Sequence, residues 1–419
     1  MNILCPFCDA LHWLDEHVSS SRAGHPKFGT CCVHGKVKLH LLHVPPAPLY
    51  NLFMANTPQA KEFQVNIVQY NAVLAFTSLG VKVDQSVLSH GPPVFQIHGE
   101  LHHLLGSLLP EETAPPCYLQ LYIYDPHAAY QYHISQNENL SLNTMQVLQH
   151  VMWDYNAYVP VYQHAYEVLQ MYDAPDYTVK LCVVPGHDPR CYNLPTADEV
   201  GVILPEENSF KGNHHDIVIH LWPQHYHNPH NNWDHLQLYY ISEGHVAYAP
   251  LHYVLLFPFG EPGWYYELWV PNNLRQITLL QHTTYWIHPW PNEFSTILWG
   301  CQLFQMYLVD MFACIDQEQL HFICTQQHKL CVTLLNGIED ALLMNDDHVD
   351  LNQLGQWVIL PSSYLGGPWD MHQQYLDGMA IAWHFKKIDI FLTMTMNPNW
   401  PEIKENCCLG RLLLINLTW

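Results

Sequence analysis

The sequence predicts an α+β fold in three parts: a small cysteine-rich N-terminal module, a mixed α/β middle region and a helix-rich C-terminal domain that runs into a strand. Three observations carry this. Cys5-x-x-Cys8 and Cys31-Cys32 bracket a first module, which Pro45, Pro46 and Pro48 close off. The middle then switches between helical and extended periodicity. Near the C-terminus a helical stripe gives way to strict alternation, which Asn397-Pro398 ends because proline cannot donate to a sheet ladder. The parts read as residues 1–44, 50–270 and 285–419.

In the first module, a Cys-x-x-Cys turn points two thiolates at one tetrahedral ion, and a second pair completes the shell. Cys5, Cys8, Cys31 and Cys32 are the candidate ligands of a structural zinc. Adjacent cysteines on a strand face opposite ways, so His34 is an alternative to one of them. The competing reading is a loop with buried thiols. The segment VKLHLL from Val37 reads as a strand.

In the middle region FQVNIVQYNAVLAF is helical, VFQIHGEL and CYLQLYIYD extended, and Asn143 to Tyr172 helical with a break at Pro160. YTVKLCVV, EVGVILP and DIVIHL read as strands between turns. His225 and His227 share a face if they lie on a strand, which suggests a metal site. Pro223, Asn228, Pro229, Asn231 and Asn232 around them argue instead for a solvated loop. Tyr248 to Trp264 is apolar with three prolines and reads as a buried connection.

In the C-terminal part Leu303, Phe304, Tyr307, Leu308, Met311 and Phe312 form a helix stripe. A second helix is expected from about Gln317 to Leu335 and a shorter one near Ile338 to Leu343. Gly366, Gly367 and Pro368 break the chain. Met371, Tyr375, Met379 and Trp383 then recur at helical spacing, and Ile390, Leu392, Met394 and Met396 alternate with Phe391, Thr393 and Thr395. Thr393 and Thr395 thus project from one strand face beside Asn397 and Trp400. Such a polar comb next to an aromatic suits a sugar-phosphate and a stacked base; an ordinary strand end is the plainer reading.

The chain of 419 residues is long enough for two or three domains with cores. It lacks the long apolar run of a membrane span, and MNILCPFCDALHW is unlike a signal peptide. With 13 cysteines and no secretory signal, reduced thiols in the nucleus or cytoplasm are expected, most of them buried as small hydrophobes. Charge is unusual: 15 Lys and Arg stand against 38 Asp and Glu, a net −23. Such a surface repels nucleic acid, since phosphate binding rests on Lys and Arg.

The stretch from Ile359, PSSYxGGPxxMxQxYxDxMAIxxxFxKxDIFLTxTxNPNWPEI, resembles the Helitron helicase-like region of Helitron transposon proteins. Upstream blocks such as CPFCDALHWLDE, CCVHGKVKL and YAPLHYVLLFPFGEPGW are similar to the same family. The resemblance runs from Cys5 to about Glu405 and fails in the tail NCCLGRLLLINLTW. It implies a rolling-circle transposase, with a Rep-type nicking domain followed by a helicase, and the C-terminal strand as the first of an incomplete Rep-type sheet. It further implies contacts to single-stranded DNA through Thr393, Thr395, Asn397 and Trp400, a partner that the net charge opposes. A divalent cation and ATP are expected only for the full-length family protein. The family places its metal-binding histidine pair and nucleophilic tyrosines beyond NPxWxEI, where this chain has neither, and no GxxxxGK[ST] phosphate loop occurs. The expectation is a truncated copy without nicking or helicase activity, or a retained zinc- or DNA-binding module without catalysis. The resemblance also places arginine where this chain has Gln64, Trp286, Trp369 and Trp383, the pattern that cytosine deamination of arginine codons would leave.

Overall fold

The computed structural model describes residues 3–18, 21, 26–79, 103–105, 115–137, 139–171, 178–182, 200–204, 216–220, 225–226, 235–236, 239–266, 268–270, 273–291, 293–326, 360–361 and 364–385. The architecture is α+β, helix-rich with short strands. Two compact units divide it, residues 1–314 and 315–419.

The first unit opens with a small antiparallel hairpin, β1 (Ile3–Leu4) and β2 (Leu11–His12), with Ile3 opposite His12. Three short helices follow: α1 (Ala47–Met54), α2 (Pro58–Val65) and α3 (Ile67–Leu74). Thr57 starts α2 by accepting the Ala60 N–H at 3.2 Å, and Pro58 sits where a helix has no N–H to lose. Next come β3 (Ser78–Leu79), β4 (His103–Leu105), a 3-10 turn over Tyr118–Ile123, and the helices α4 (Pro126–Gln136), α5 (Leu142–Tyr155) and α6 (Tyr158–Met171).

The strands β5 (Thr178–Cys182), β6 (Val200–Leu204) and β7 (Asp216–His220) form an antiparallel sheet in the order β6-β5-β7. The pair β8 (His225–Tyr226) and β9 (His235–Leu236) follows, and β10 (Tyr239–Ile241) joins β4 and β3 in the order β10-β4-β3. The chain continues through α7 (Tyr248–His252), the hairpin β11 (Trp269–Val270) and β12 (Asn273–Gln276), α8 (Leu279–Trp286) and α9 (Cys301–Thr325). Thr278 and Gln281 cap α8 reciprocally, each side chain bonded to the other's backbone N–H.

The core of this unit is built around residues 246–257, which are buried along their whole length. Neighbouring elements bind its backbone. The Asn71 amide donates to His252 O at 2.7 Å and accepts from Leu255 N–H at 3.2 Å. Thr296 donates to Leu256 O and Phe76 N–H to Leu251 O. Leu251, Val254, Leu255, Leu256 and Phe257 are fully enclosed. Each such side chain contributes about 1.5–3 kcal/mol of burial, so the segment read as a connection is the centre of the fold.

In the second unit Tyr364 donates its hydroxyl to Asp316 at 2.7 Å, ahead of a turn with Gly366 at φ +74°. Asp370 accepts the Gly366 N–H at 2.9 Å and starts α10 (Pro368–Phe385).

Several elements differ from the sequence reading. The VKLHLL segment forms no strand, and side chains of α8 take two of its carbonyls: Tyr285 O–H bonds Leu39 O and Trp286 N–H bonds His40 O. CYLQLYIYD is a 3-10 turn rather than a strand, closed by Cys117 and Gln120 and burying Leu119, Leu121 and Tyr122. The break before α6 falls at Asn156, whose side chain accepts the Tyr158 N–H; Pro160 lies in the first turn, where its ring is tolerated. The helices expected on either side of residue 315 are one continuous helix, α9, at least to Thr325. His225 and Tyr226 pair with Leu236 and His235, so this part of the histidine-rich stretch is a short ladder rather than a loop. On α10, Met371, Tyr375, Met379 and Trp383 do share the expected apolar face, and it is exposed. The expected VFQIHGEL strand, the helix near Ile338, the strand from Ile390, His227 and the residues Thr393, Thr395, Asn397 and Trp400 lie outside the described residues. Among the described residues no helix is long and apolar enough to cross a membrane.

Candidate metal centre

The hairpin β1–β2 brings the first two cysteines to its tip. Cys5 N–H bonds Ala10 O at 2.9 Å and Asp9 N–H bonds Cys5 O at 3.0 Å. The reversal is made by Asp9 at φ 64°, a left-handed conformation that aspartate accepts better than most residues. Both thiols then face inward.

The second pair comes from a turn, not a strand. After Cys32 three consecutive residues are left-handed: Val33 (φ 49°), His34 (57°) and Gly35 (81°). This is costly for β-branched Val33 in particular. The tight coil lets adjacent Cys31 and Cys32 both point to one centre, and it swings the Gly35 N–H onto Cys32 Sγ at 3.1 Å. Gly35 is required there, since a Cβ would also lie 3.1 Å from the Phe7 ring.

The four sulfurs lie within 4.8 Å of one another. Cys5–Cys32 is 3.8 Å, Cys31–Cys32 3.8 Å and Cys8–Cys31 3.5 Å. A tetrahedral ion with metal–sulfur bonds of about 2.3 Å sets its ligands about 3.8 Å apart. A disulfide would demand about 2.05 Å, and none of these pairs is close to that. The donor set and its spacing therefore fit a metal ion. Cys5, Cys31 and Cys32 are buried and Cys8 is half-buried, which makes the cluster a closed site without an open coordination position.

Electrostatics agree. Hydrogen bonds from Cys31 and Cys8 pull the Cys32 thiol down to about 2, with the Gly35 N–H adding to them. Cys31 is pushed far up, because it donates to Cys32 and its ionised form would sit beside the charge already there. Cys31 thus keeps its proton until a dication joins the cluster and releases it.

His34, the alternative ligand, is exposed and turned away; its ring meets Phe7 edge-on at 6.5 Å. The expectation that strand geometry would separate the two adjacent cysteines fails because Cys31 and Cys32 are in a turn. The structure thus brings together all four predicted cysteines.

A second polar cluster escaped the sequence reading. His103 on β4 bonds Asp310 on α9 at 3.0 Å through Nε2 and the Tyr248 carbonyl at 3.0 Å through Nδ1. Tyr248 donates its hydroxyl to Asp310 at 2.9 Å, and Cys314 donates to that hydroxyl at 3.3 Å. The cluster is sealed from solvent, so it holds elements together rather than meeting a substrate. Its members are up to 207 positions apart, and nothing local marks them.

No curated protein matches the chain. Residues 282–415 match the family model described as the Helitron helicase-like domain at N-terminus. The match is shorter at its start than the resemblance read from motifs and extends into the tail, where that resemblance stopped. The match takes in or overlaps α8, α9 and α10, so residues 282–415 of this chain are similar to the Helitron helicase-like N-terminal domain.

Proposed function

We propose that this chain is a part of a Helitron-type rolling-circle transposon protein in which Cys5, Cys8, Cys31 and Cys32 hold one structural zinc ion, and that these 419 residues by themselves neither nick nor unwind DNA. The observation that carries the metal assignment is the sulfur spacing, which matches the edge of a tetrahedral thiolate shell. Four thiolates without a water position select a structural ion, and zinc is the usual occupant of such a shell. Within the sequence there is no phosphate-binding loop for ATP. DNA as the family's partner supports the nucleus, rather than the cytoplasm, as the protein's location. Single-stranded DNA would meet a net charge of −23, so the role supported here is organisation of the fold.

Elemental analysis of the purified chain tests this. One zinc per chain is expected, with Cys31→Ser lowering it well below one. A labelled single-stranded substrate with magnesium or manganese should stay uncut, and ATP should not turn over. A metal-free native chain with four freely titrating thiols, or site-specific nicking, would overturn the proposal.

A further inference from the structure

The cysteine module rests on the opening residues of the Helitron-like segment. Leu11, on β2, donates its N–H to Pro289 O at 2.9 Å. Tyr285 donates its hydroxyl to Leu39 O at 3.1 Å, and the Trp286 indole N–H reaches His40 O at 3.2 Å. The buried His12 ring stacks on Phe28 at 4.1 Å and meets the His288 ring at 4.8 Å. Tyr285, Trp286 and Trp290 are buried. The hairpin that carries Cys5 and Cys8, and the segment that follows Cys31 and Cys32, therefore close on the same six-residue stretch, 285–290.

We propose that the metal at Cys5, Cys8, Cys31 and Cys32 acts as a clamp on residues 285–290, so that metal occupancy decides whether the start of the Helitron helicase-like domain is held in place. This rests on the metal reading above. Among its described residues the module has two strands of two residues each and a single 3-10 turn, too little regular structure to hold itself. Val33 and His34, left-handed after Cys32, are held against their preference, and an ion bound to all four sulfurs is what over-determines them. The hydrogen bonds made to 285–290 use backbone groups of Leu11, Leu39 and His40. They depend on the path of the chain and not on which side chains stand there. If the path relaxes, all of them go together.

Hydrogen exchange read by mass spectrometry on the full chain decides it, with zinc as the probe. On chelation, peptides covering 3–18, 26–44 and 279–291 should lose protection together, by at least about tenfold, while the α5 peptide 142–155 keeps its protection. Added zinc should restore it. Tyr285→Phe combined with Trp286→Phe should keep one zinc per chain yet deprotect 279–291, since it removes both donors to the module. If chelation opens 3–44 and leaves 279–291 unchanged, the clamp is wrong and the metal site stands. If α5 opens with the rest, the metal supports the whole fold and the local clamp is wrong. If the purified chain carries no metal and 3–44 is protected without it, both readings fall.

Discussion

Asp310→Ala removes the one carboxylate at the centre of the first unit's polar cluster, and its expected cost follows from the donors it leaves behind. His103 Nδ1 faces the Tyr248 carbonyl at 3.0 Å, an atom that only accepts, so Nδ1 carries the hydrogen. Its Nε2 faces Asp310 at 3.0 Å and the Tyr248 hydroxyl donates to the same carboxylate at 2.9 Å. Side-chain exposure is 0% for His103 and 4% for Asp310, so water cannot replace the lost partner. Two buried donors stranded at about 1–3 kcal/mol each, or one broken buried pair at about 3–5 kcal/mol, give the same range. The better helix propensity of alanine returns about 0.5 kcal/mol. A loss of about 3–5 kcal/mol is therefore expected in urea unfolding followed by circular dichroism. His103→Ala in the same background should cost much less than it does alone, because its partner is already gone; a coupling of about 0.5–3 kcal/mol is expected. The pH dependence has a definite sign. Burial alone would raise the Asp310 carboxyl, but the His103 charge and hydrogen bond outweigh it and leave it below its ordinary value. Its stabilisation is thus present above the unfolded value of about 3.9 and lost as pH falls through the lower folded one. A loss below about 1 kcal/mol, or two losses that simply add, would refute the reasoning.

Three further outcomes are expected. His34→Ala should leave bound zinc unchanged while Cys8→Ser lowers it, since His34 is turned away from the sulfurs; equal losses on elemental analysis would mean that His34 is a ligand. Gly260→Ala should lower stability by about 1–3 kcal/mol in thermal unfolding, because Gly260 has φ +73° and a Cβ there would lie 2.8 Å from the Tyr158 ring; an unchanged melting temperature would show that the turn relaxes freely. Burial holds the His282 imidazole down at about 3, so the unfolded chain takes up the proton first, and stability should fall by about 2 kcal/mol between about pH 7 and pH 5. His282→Leu should remove that share of the slope, and an unaltered slope in urea midpoints would show that His282 is not the group responsible.

At two of the positions where the family resemblance implies arginine, the residue present makes a bond that an arginine could also make. Gln64 donates to Phe53 O at 2.8 Å, and Trp286 donates to His40 O at 3.2 Å. Each keeps an N–H for a backbone carbonyl, as a guanidinium would. Trp369 and Trp383 on α10 are instead exposed, at 62% and 80%.

What the sequence determined by itself is what short-range chemistry encodes. The spacing of Cys5 and Cys8 makes a turn of the right bite, short apolar β-branched runs between turns make the strands of the β5–β7 sheet, and Thr57, Ser141 and Thr278 start helices because their hydroxyls reach an N–H three residues on. Tertiary structure decided whatever depends on partners far along the chain. It chose Cys32 over His34, since only the folded turn shows which side chain points inward. It gave the carbonyls of Leu39 and His40 to side chains 246 positions away. It made residues 246–257 the core and His103 the partner of Asp310, because burial and pairing are properties of the space around a residue, and periodicity along the chain records only its own face.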